Sequence, residues 1–383
     1  MKFTINRERI LGLAEDLLVV IPSRIVTTAT SGFLLEVDPE GAFRMYSTDL
    51  TFTMEARSTV ESTDGRLRVV IPAQRFVNAL RYMTGETIEV VSQGWTHNVQ
   101  MTDGTSNIRL SVISEDFPNV AFGDDNKRVC EVDSSWLRTA ITQLEFAAEK
   151  NDKLHLAMNS ILIDCKNSNT DASLNGCTVV AGRGSIICRR KADDYTACSR
   201  ENYSFILPRT AIKVIKTALK GSSTCTIGGN ASGTRMIVEA DNFSASMPLK
   251  AATYPNYVSM FNRKADCLTK ESVNRDDLKM ALLRATVVLP TQDNEASPIQ
   301  LALNEAMIEL NMSSSAGSFQ ESVPANKEGP SLDLMFNLKL FSDSIGVCSD
   351  ECVDISGSTS SGPVFLTSGD TEIIIMPQVR NRE

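Results

Sequence analysis

Histidine is nearly missing from this 383-residue chain: His97 and His155 are the only two, each without a neighbouring ligand. A zinc hydrolase needs H-E-x-x-H or a comparable spacing, and none exists. There is no G-x-S-x-G elbow, and the serine-rich run Asn311–Ser315 does not supply one. The phosphate-cradling G-x-x-x-x-G-K-[ST] loop is absent as well, and Gly182-Arg183-Gly184 is too short for a dinucleotide fingerprint. No catalytic residue, metal ligand set or cofactor site can be named from these patterns, and the expectation is a protein that catalyses nothing.

Long apolar runs are missing too. Nothing approaches the ~18 consecutive apolar residues of a membrane span. The opening MKFTINRERI scatters its charges and has no apolar core of the secretory type. Together these point to a cytoplasmic protein with no membrane partner. The first 129 residues contain no cysteine, and the nine cysteines from Cys130 to Cys352 are odd in number and scattered. That is no disulfide framework. Cys348 and Cys352 have a C-x3-C spacing, which is half a zinc site or, more plainly, two free thiols.

What remains is an ordinary globular composition, 42% apolar and 22% charged, in a chain long enough for two or three domains. The net charge of −9, with a pI near 5.0, argues on average against nucleic acid. An average says nothing of distribution, since one surface can be positive while the rest is negative.

The chain reads three times, with a period near one third of its length. A short strand runs into an amphipathic helix in FTINRERILGLAEDLL, in CEVDSSWLRTAITQLEFAA and in CLTKESVNRDDLKMALLRATVV. Strand-forming segments follow: residues 32–57, then SILIDCKNS with CTVVAGRGSIICRR, then IQLALNEAMIELNMSSS. A strand–helix joint comes next. VVIPAQRFVNALRYM and FILPRTAIKVIKTAL each place proline where a first-turn N–H has no partner anyway, whereas LDLMFNLKLFSDSI carries Phe–Asn there. The first two thirds close on SEDFPN and AATYPN, with GDDNK a polar bridge after the first. The fold class expected is α+β, three pseudo-repeated domains over 1–124, 125–257 and 258–383, each with two helices and about eight strands.

The helices carry the informative charge. Arg209, Lys213, Lys216 and Lys220 share one stripe of a segment without an acidic residue, while Ala211, Val214, Ile215, Ala218 and Leu219 take the other side. The segment 73–83 turns Gln74, Arg75, Asn78 and Arg81 outward, again without an acid. Over the six expected helices (7–18, 73–83, 134–150, 209–220, 274–285 and 338–346) the charge totals +6, which leaves −15 for the rest of a −9 chain. Solvated helix faces would account for one such stripe. The repeat and the partition together favour helices facing duplex DNA and sheets forming an outer wall, with binding that is independent of base sequence.

Five short motifs in order, MKFT, STDL at 47–50, VVIPAQRF at 69–76, DFPN at 116–119 and IIIMPQVR at 373–380, make the whole chain resemble the beta subunit of bacterial DNA polymerase III. The resemblance implies DNA-clamp domains in a head-to-tail homodimer, a six-domain ring around double-stranded DNA. Its implied partners are an alpha-type DNA polymerase III polymerase, a clamp loader and repair proteins carrying the same docking motif. Ring contacts would fall at Ile108 and Leu110 on one side and Val287 and Val288 on the other, with buried core as the alternative for these four. Arg24 matches a DNA-contacting position and joins Arg75, Arg81, Arg209, Lys213, Lys216 and Lys220.

The same resemblance implies a pocket for glutamine- and leucine-rich peptides, built from Met158, Val180, Gly182, Arg183, Pro255, Met260, Ile375, Met376 and Pro377. Methionines can repack around several ligands, although core methionines are equally common. Two departures stand out. The T-D-G-H-R-L run of the family reads V-A-G-R-G-S over Val180–Ser185, and three residues, Asn381–Glu383, follow the usual end. A different reading keeps the fold as a protein-interaction scaffold that does not encircle DNA. The Arg209–Lys220 stripe argues against it, because a scaffold has no use for one.

Overall fold

The computed structural model describes residues 1–24, 27–92, 97–119, 122, 126–148, 157–166, 176–290 and 297–378. His155, the Gly123–Asp125 part of the polar bridge, the last two residues of the segment 134–150, and the tail from Val379 lie outside the described residues. The helices are α1 (Arg7–Leu17), α2 (Ala73–Tyr82), α3 (Ser134–Leu144), α4 (Ala211–Ala218), α5 (Tyr257–Asn262), α6 (Arg275–Ala285) and α7 (Leu338–Gly346). Six answer to the expected segments: α7 keeps the expected bounds, and the other five are shortened at one or both ends. The short α5, with only one turn of apolar spacing to announce it, was not foreseen.

Local chemistry sets the helix starts. The side chains of Asn6, Asn274 and Asn337 accept the first free N–H groups of α1, α6 and α7, at 3.0 Å from Arg9, 3.0 Å from Asp276 and 2.8 Å from Leu340. The asparagine of the third joint therefore caps its helix where the other two copies use proline. Neither proline stands in a first turn as expected: Pro72 is the N-cap residue of α2, and Pro208 ends a strand two residues before the Thr210 cap of α4.

The chain forms two compact units. One comprises 1–139, 166–175 and 194–250; the other comprises 140–165, 176–193 and 251–383, so the middle third contributes to both. In the first unit, five strands stand in the order 62–63, 2–6, 87–92, 98–102 and 107–111. A second sheet of nine runs 195–197, 127–133, 224–229, 235–239, 243–248, 53–59, 42–48, 32–37 and 67–72. In the second unit, eleven strands run 160–166, 176–183, 186–191, 371–375, 364–368, 352–357, 269–274, 317–328, 307–314, 298–303 and 332–337. Apolar residues of the helices and of the facing strands make the cores, including Phe3, Phe33, Phe43 and Phe76 in the first unit and Phe336, Phe341 and Phe365 in the second, all 2% exposed or less.

Two joints between successive thirds are made by strand pairing. In the first unit, Phe243–Ser246 pairs antiparallel with Thr53–Ala56. Arg57 locks this joint, its Nη2 donating to Ala240 O at 2.6 Å and its Nη1 donating to Ser244 Oγ. In the second unit, Ile186–Arg190 pairs with Thr371–Ile375. There the buried Arg190 forks onto Asp370, with Nη2 2.7 Å from Oδ2 and Nε 3.0 Å from Oδ1. The DFPN motif is not a free linker. Phe117 is buried with Leu34, Tyr46 and Val70, so the end of the first third is fastened to its own sheet.

Candidate nucleic-acid and peptide interfaces

The sheets hold α1, α2 and α4 through their apolar sides, and this decides which cations reach solvent. In α4, Ala211, Ile212, Val214, Ile215 and Ala218 are buried, leaving Lys213 exposed, Lys216 half-buried and Lys220 exposed beyond the last turn. Arg209 precedes the helix and is itself half-buried. In α2 the buried set is Ala73, Phe76, Val77, Ala79 and Leu80, and Arg75 and Arg81 point outward. Arg24 is exposed after α1. Arg24, Arg75, Lys213 and Lys216 have no ion-pair partner among the described residues.

Arg81 and Lys220 of this set are ion-paired. Arg81 Nη2 lies 2.6 Å from Glu15 Oε1, and Lys220 Nζ lies 2.9 Å from Asp16 Oδ1. Both acids are in the last turn of α1. Neither the α2 nor the α4 segment contains an acid, and reading each segment alone missed neutralisation that arrives through space from a third helix.

The expected peptide-pocket residues all belong to the second unit. Gly182 pairs with Ile187 in the hairpin of strands 176–183 and 186–191. A Cβ there would stand 2.9 Å from Ile186 O and 3.2 Å from Ile187 Cα, so the one residue kept from the family's run is required by close backbone approach. Ser185 O accepts the Met376 N–H at 2.8 Å, which places the Arg183–Ser185 turn beside Met376 and Pro377. Val180 and Ile375 are fully buried in the sheet, Met158, Arg183 and Pro255 are half-buried, and Pro377 is buried.

Helix α5 supplies the remaining exposed wall. Its Asn256 cap accepts from Ser259 N at 3.2 Å. Two contacts pin it to the sheet: the Tyr257 hydroxyl donates to Asp164 Oδ2 at 2.6 Å, and the Phe261 ring lies 4.2 Å beneath the Arg189 guanidinium. Burial, and then the Asp164 carboxylate, push the Tyr257 phenol far above its ordinary range. Arg189 in turn donates to Glu372 Oε2 at 2.7 Å. With Tyr257 and Phe261 turned in, Val258 and Met260 are turned out, 42% and 41% exposed; Met376 is 40% exposed. The sequence offered no sign of Arg189, Glu372, Tyr257 or Asp164 as supports of this surface.

The strand Asn107–Ser111 stands at the edge of its sheet and has one neighbour among the described residues. Leu110 is buried there and Ile108 half-buried. In the second unit, Gly317–Val323 pairs only with the strand Met307–Ser314 among the described residues; its continuation Ala325–Glu328 turns to Lys270–Val273. Beside it α6 exposes Met280, Leu283 and, two residues past its end, Val287, at 48%, 57% and 82%, while Val288 is half-buried. These three lie i, i+3 and i+7, one apolar stripe facing water.

The candidate zinc half-site has a different arrangement: Cys348 is buried with its Sγ donating to Ser344 O at 3.4 Å, and Cys352 is exposed. His97 is exposed. No helix among the described residues is long and apolar enough to cross a membrane.

Comparison with known proteins agrees with this geometry. Residues 1–121 match the family described as DNA polymerase III beta subunit, N-terminal domain. The beta sliding clamp of Chlamydia pneumoniae is 22% identical over 98% of both chains. Among solved structures, the DNA polymerase sliding clamp of Bacillus subtilis superposes with a TM-score of 0.85 over 100% of both chains at 18% identity. The Helicobacter pylori beta clamp bound to a DNA ligase peptide does so at 0.81, covering 99% of this chain and all of that one, at 15% identity.

Proposed function

We propose that this chain, a divergent member of the bacterial DNA polymerase III beta-subunit family, works as a sliding clamp: two copies close head to tail around duplex DNA and tether a polymerase without catalysing a reaction. The observation that carries the reading is the set of strand edges. Successive thirds, divided near residues 124 and 257, are joined by their last strand pairing with an edge strand of a neighbouring third. That happens twice within the chain, at 243–246 with 53–56 and at 371–375 with 186–190. The remaining last strand, Asn107–Ser111, and the remaining edge, Gly317–Val323, lack such a neighbour among the described residues. A second copy supplies both, and the pair of joints closes the assembly. In this reading Ile108 and the buried Leu110 on one side meet Val287 and Val288 on the other, with Met280 and Leu283 continuing the Val287 stripe.

Helices α2 and α4, with the segments that follow α1 and flank α4, then offer Arg24, Arg75, Arg81, Arg209, Lys213, Lys216 and Lys220 as screened, water-separated partners of phosphate. Met260, Met376 and the Arg183–Ser185 turn form the docking surface for polymerase, loader and repair-protein peptides; the V-A-G-R-G-S run, with Arg183 as its one charge and no acid, gives the rim a different polarity from the family's run. Retention on nicked circular DNA tests the reading. Light scattering should give about twice 41.9 kDa, and the protein should stay with the circle through gel filtration and leave once the circle is cut. A protein that binds the peptide yet leaves intact circles as fast as linear DNA is the interaction scaffold instead.

A further inference from the structure

We infer that Glu15 and Asp16 act as built-in competitors of DNA phosphate, holding two cations of the DNA-facing set and so weakening the direct grip on the duplex. The inference rests on the clamp reading above and concerns how strongly the lining holds what it surrounds. Four observations support it. Both acids stand in the last turn of α1, where no basic residue accompanies them. The negative end of the helix dipole disfavours carboxylates there, so helix stability does not explain their position. Each reaches a cation on a different helix or just past its end: Arg81 of α2 at 2.6 Å and Lys220 after α4 at 2.9 Å, with a second Asp16 oxygen at 3.0 Å. Finally, these pairs stay in contact with water, since the Arg81 and Lys220 side chains are 47% and 58% exposed and an incoming phosphate can compete for them.

An ion pair already made releases no counterion from DNA when the cation meets a phosphate, and its carboxylate repels that phosphate as it approaches. Arg81 and Lys220 are thereby withdrawn from the set of cations that meet phosphate freely. A ring held by topology gains from this, since each lasting phosphate contact would slow its movement along the helix.

The test is equilibrium binding of the full-length protein to a short linear duplex, read by fluorescence anisotropy from 50 to 200 mM KCl. There the ring's topology contributes nothing. Freeing two cations adds up to about 1.8 to the logarithmic salt slope, at roughly 0.9 per phosphate. The E15Q/D16N protein should thus bind more tightly at 50 mM and lose about 12-fold more affinity than the parent across that range. In an R81Q background, E15Q should raise the slope by clearly less than it does in the parent, because it then removes only a repelling carboxylate and frees no cation. A slope in E15Q/D16N equal to the parent's overturns the inference, as does an E15Q effect of undiminished size without Arg81. Retention of the parent on nicked circles separates the two ideas. Retained parent with unchanged slopes removes only the competitor role, whereas a parent that is not retained removes the clamp reading and this inference with it.

Discussion

Glu271 is the most consequential buried group in the second unit, and replacing it with glutamine gives a sharp test of how the sheet is held. The residue is 0% exposed in the strand Thr269–Asn274, and neither carboxylate oxygen has a hydrogen-bond partner among the described residues. Its neighbours across the sheet are Ile355 on one side and Lys327 on the other. Burial pushes the carboxyl up to about 7, against a partial opposing pull from Lys327. Between an unfolded value of 4.5 and a folded value of about 7, the unfolded chain holds fewer protons, so stability falls as pH rises through that window and levels off above it. Each pKa unit is about 1.4 kcal/mol, which bounds the loss at roughly 3 kcal/mol. Water entry and strand relaxation reduce it to about 2 kcal/mol. Glutamine fills the same space and never ionises. Calorimetric scans should therefore show the E271Q transition gaining on the parent by about 4–8 °C between pH 4.5 and pH 8. A difference that stays constant with pH, whatever its size, would mean that Glu271 titrates alike in the folded and unfolded chains and is not held in a dry site.

Asp370→Ala strands the Arg190 guanidinium in a buried site and should cost about 3–5 kcal/mol in urea unfolding, whereas replacing both partners with apolar residues of similar volume should cost far less. A D370A chain as stable as the parent would show that the pair contributes nothing. Leu50 has φ of 74° in the turn that Asp49 ties to Thr51 and Phe52, a conformation that costs an L side chain. Leu50→Gly should stabilise by about 0.5–1 kcal/mol, and a loss of stability would show that the half-exposed side chain matters more than its backbone. Met260→Ala and Met376→Ala should each weaken binding of a labelled glutamine- and leucine-rich peptide by about tenfold, the worth of one buried methionine end, without altering the dimer. Unchanged affinity in both would place the docking surface elsewhere.

The threefold repeat, six of the helices and the outward cations were legible because each is written in local periodicity. The asparagine caps could also be read, since Asn6, Asn274 and Asn337 each stand where a strand gives way to a helix. What stayed hidden depends on residues far apart in the chain. Glu15 and Asp16 neutralise cations some 65 and 200 residues away, and α2 and α4 looked wholly basic because their own segments contain no acid. The support of α5 by Asp164 and Arg189 is hidden for the same reason, as is the burial of Glu271, whose strand reads as an alternation of polar residues. The retained Gly182 was visible as a kept residue, but its cause, a backbone 2.9 Å from where a Cβ would sit, belongs to the paired strand.

The joints at 243–246 with 53–56 and at 186–190 with 371–375 have a practical bearing on dissection. Sawing this polypeptide at its repeat boundaries would not release three self-sufficient modules. It would strip hydrogen-bonding neighbours from strands whose faces are largely apolar, and the fragments would seek any other edge, their own copies included. Precipitation of isolated thirds would be the natural result, and co-expressed fragments should recover solubility only in combinations that restore the lost pairing.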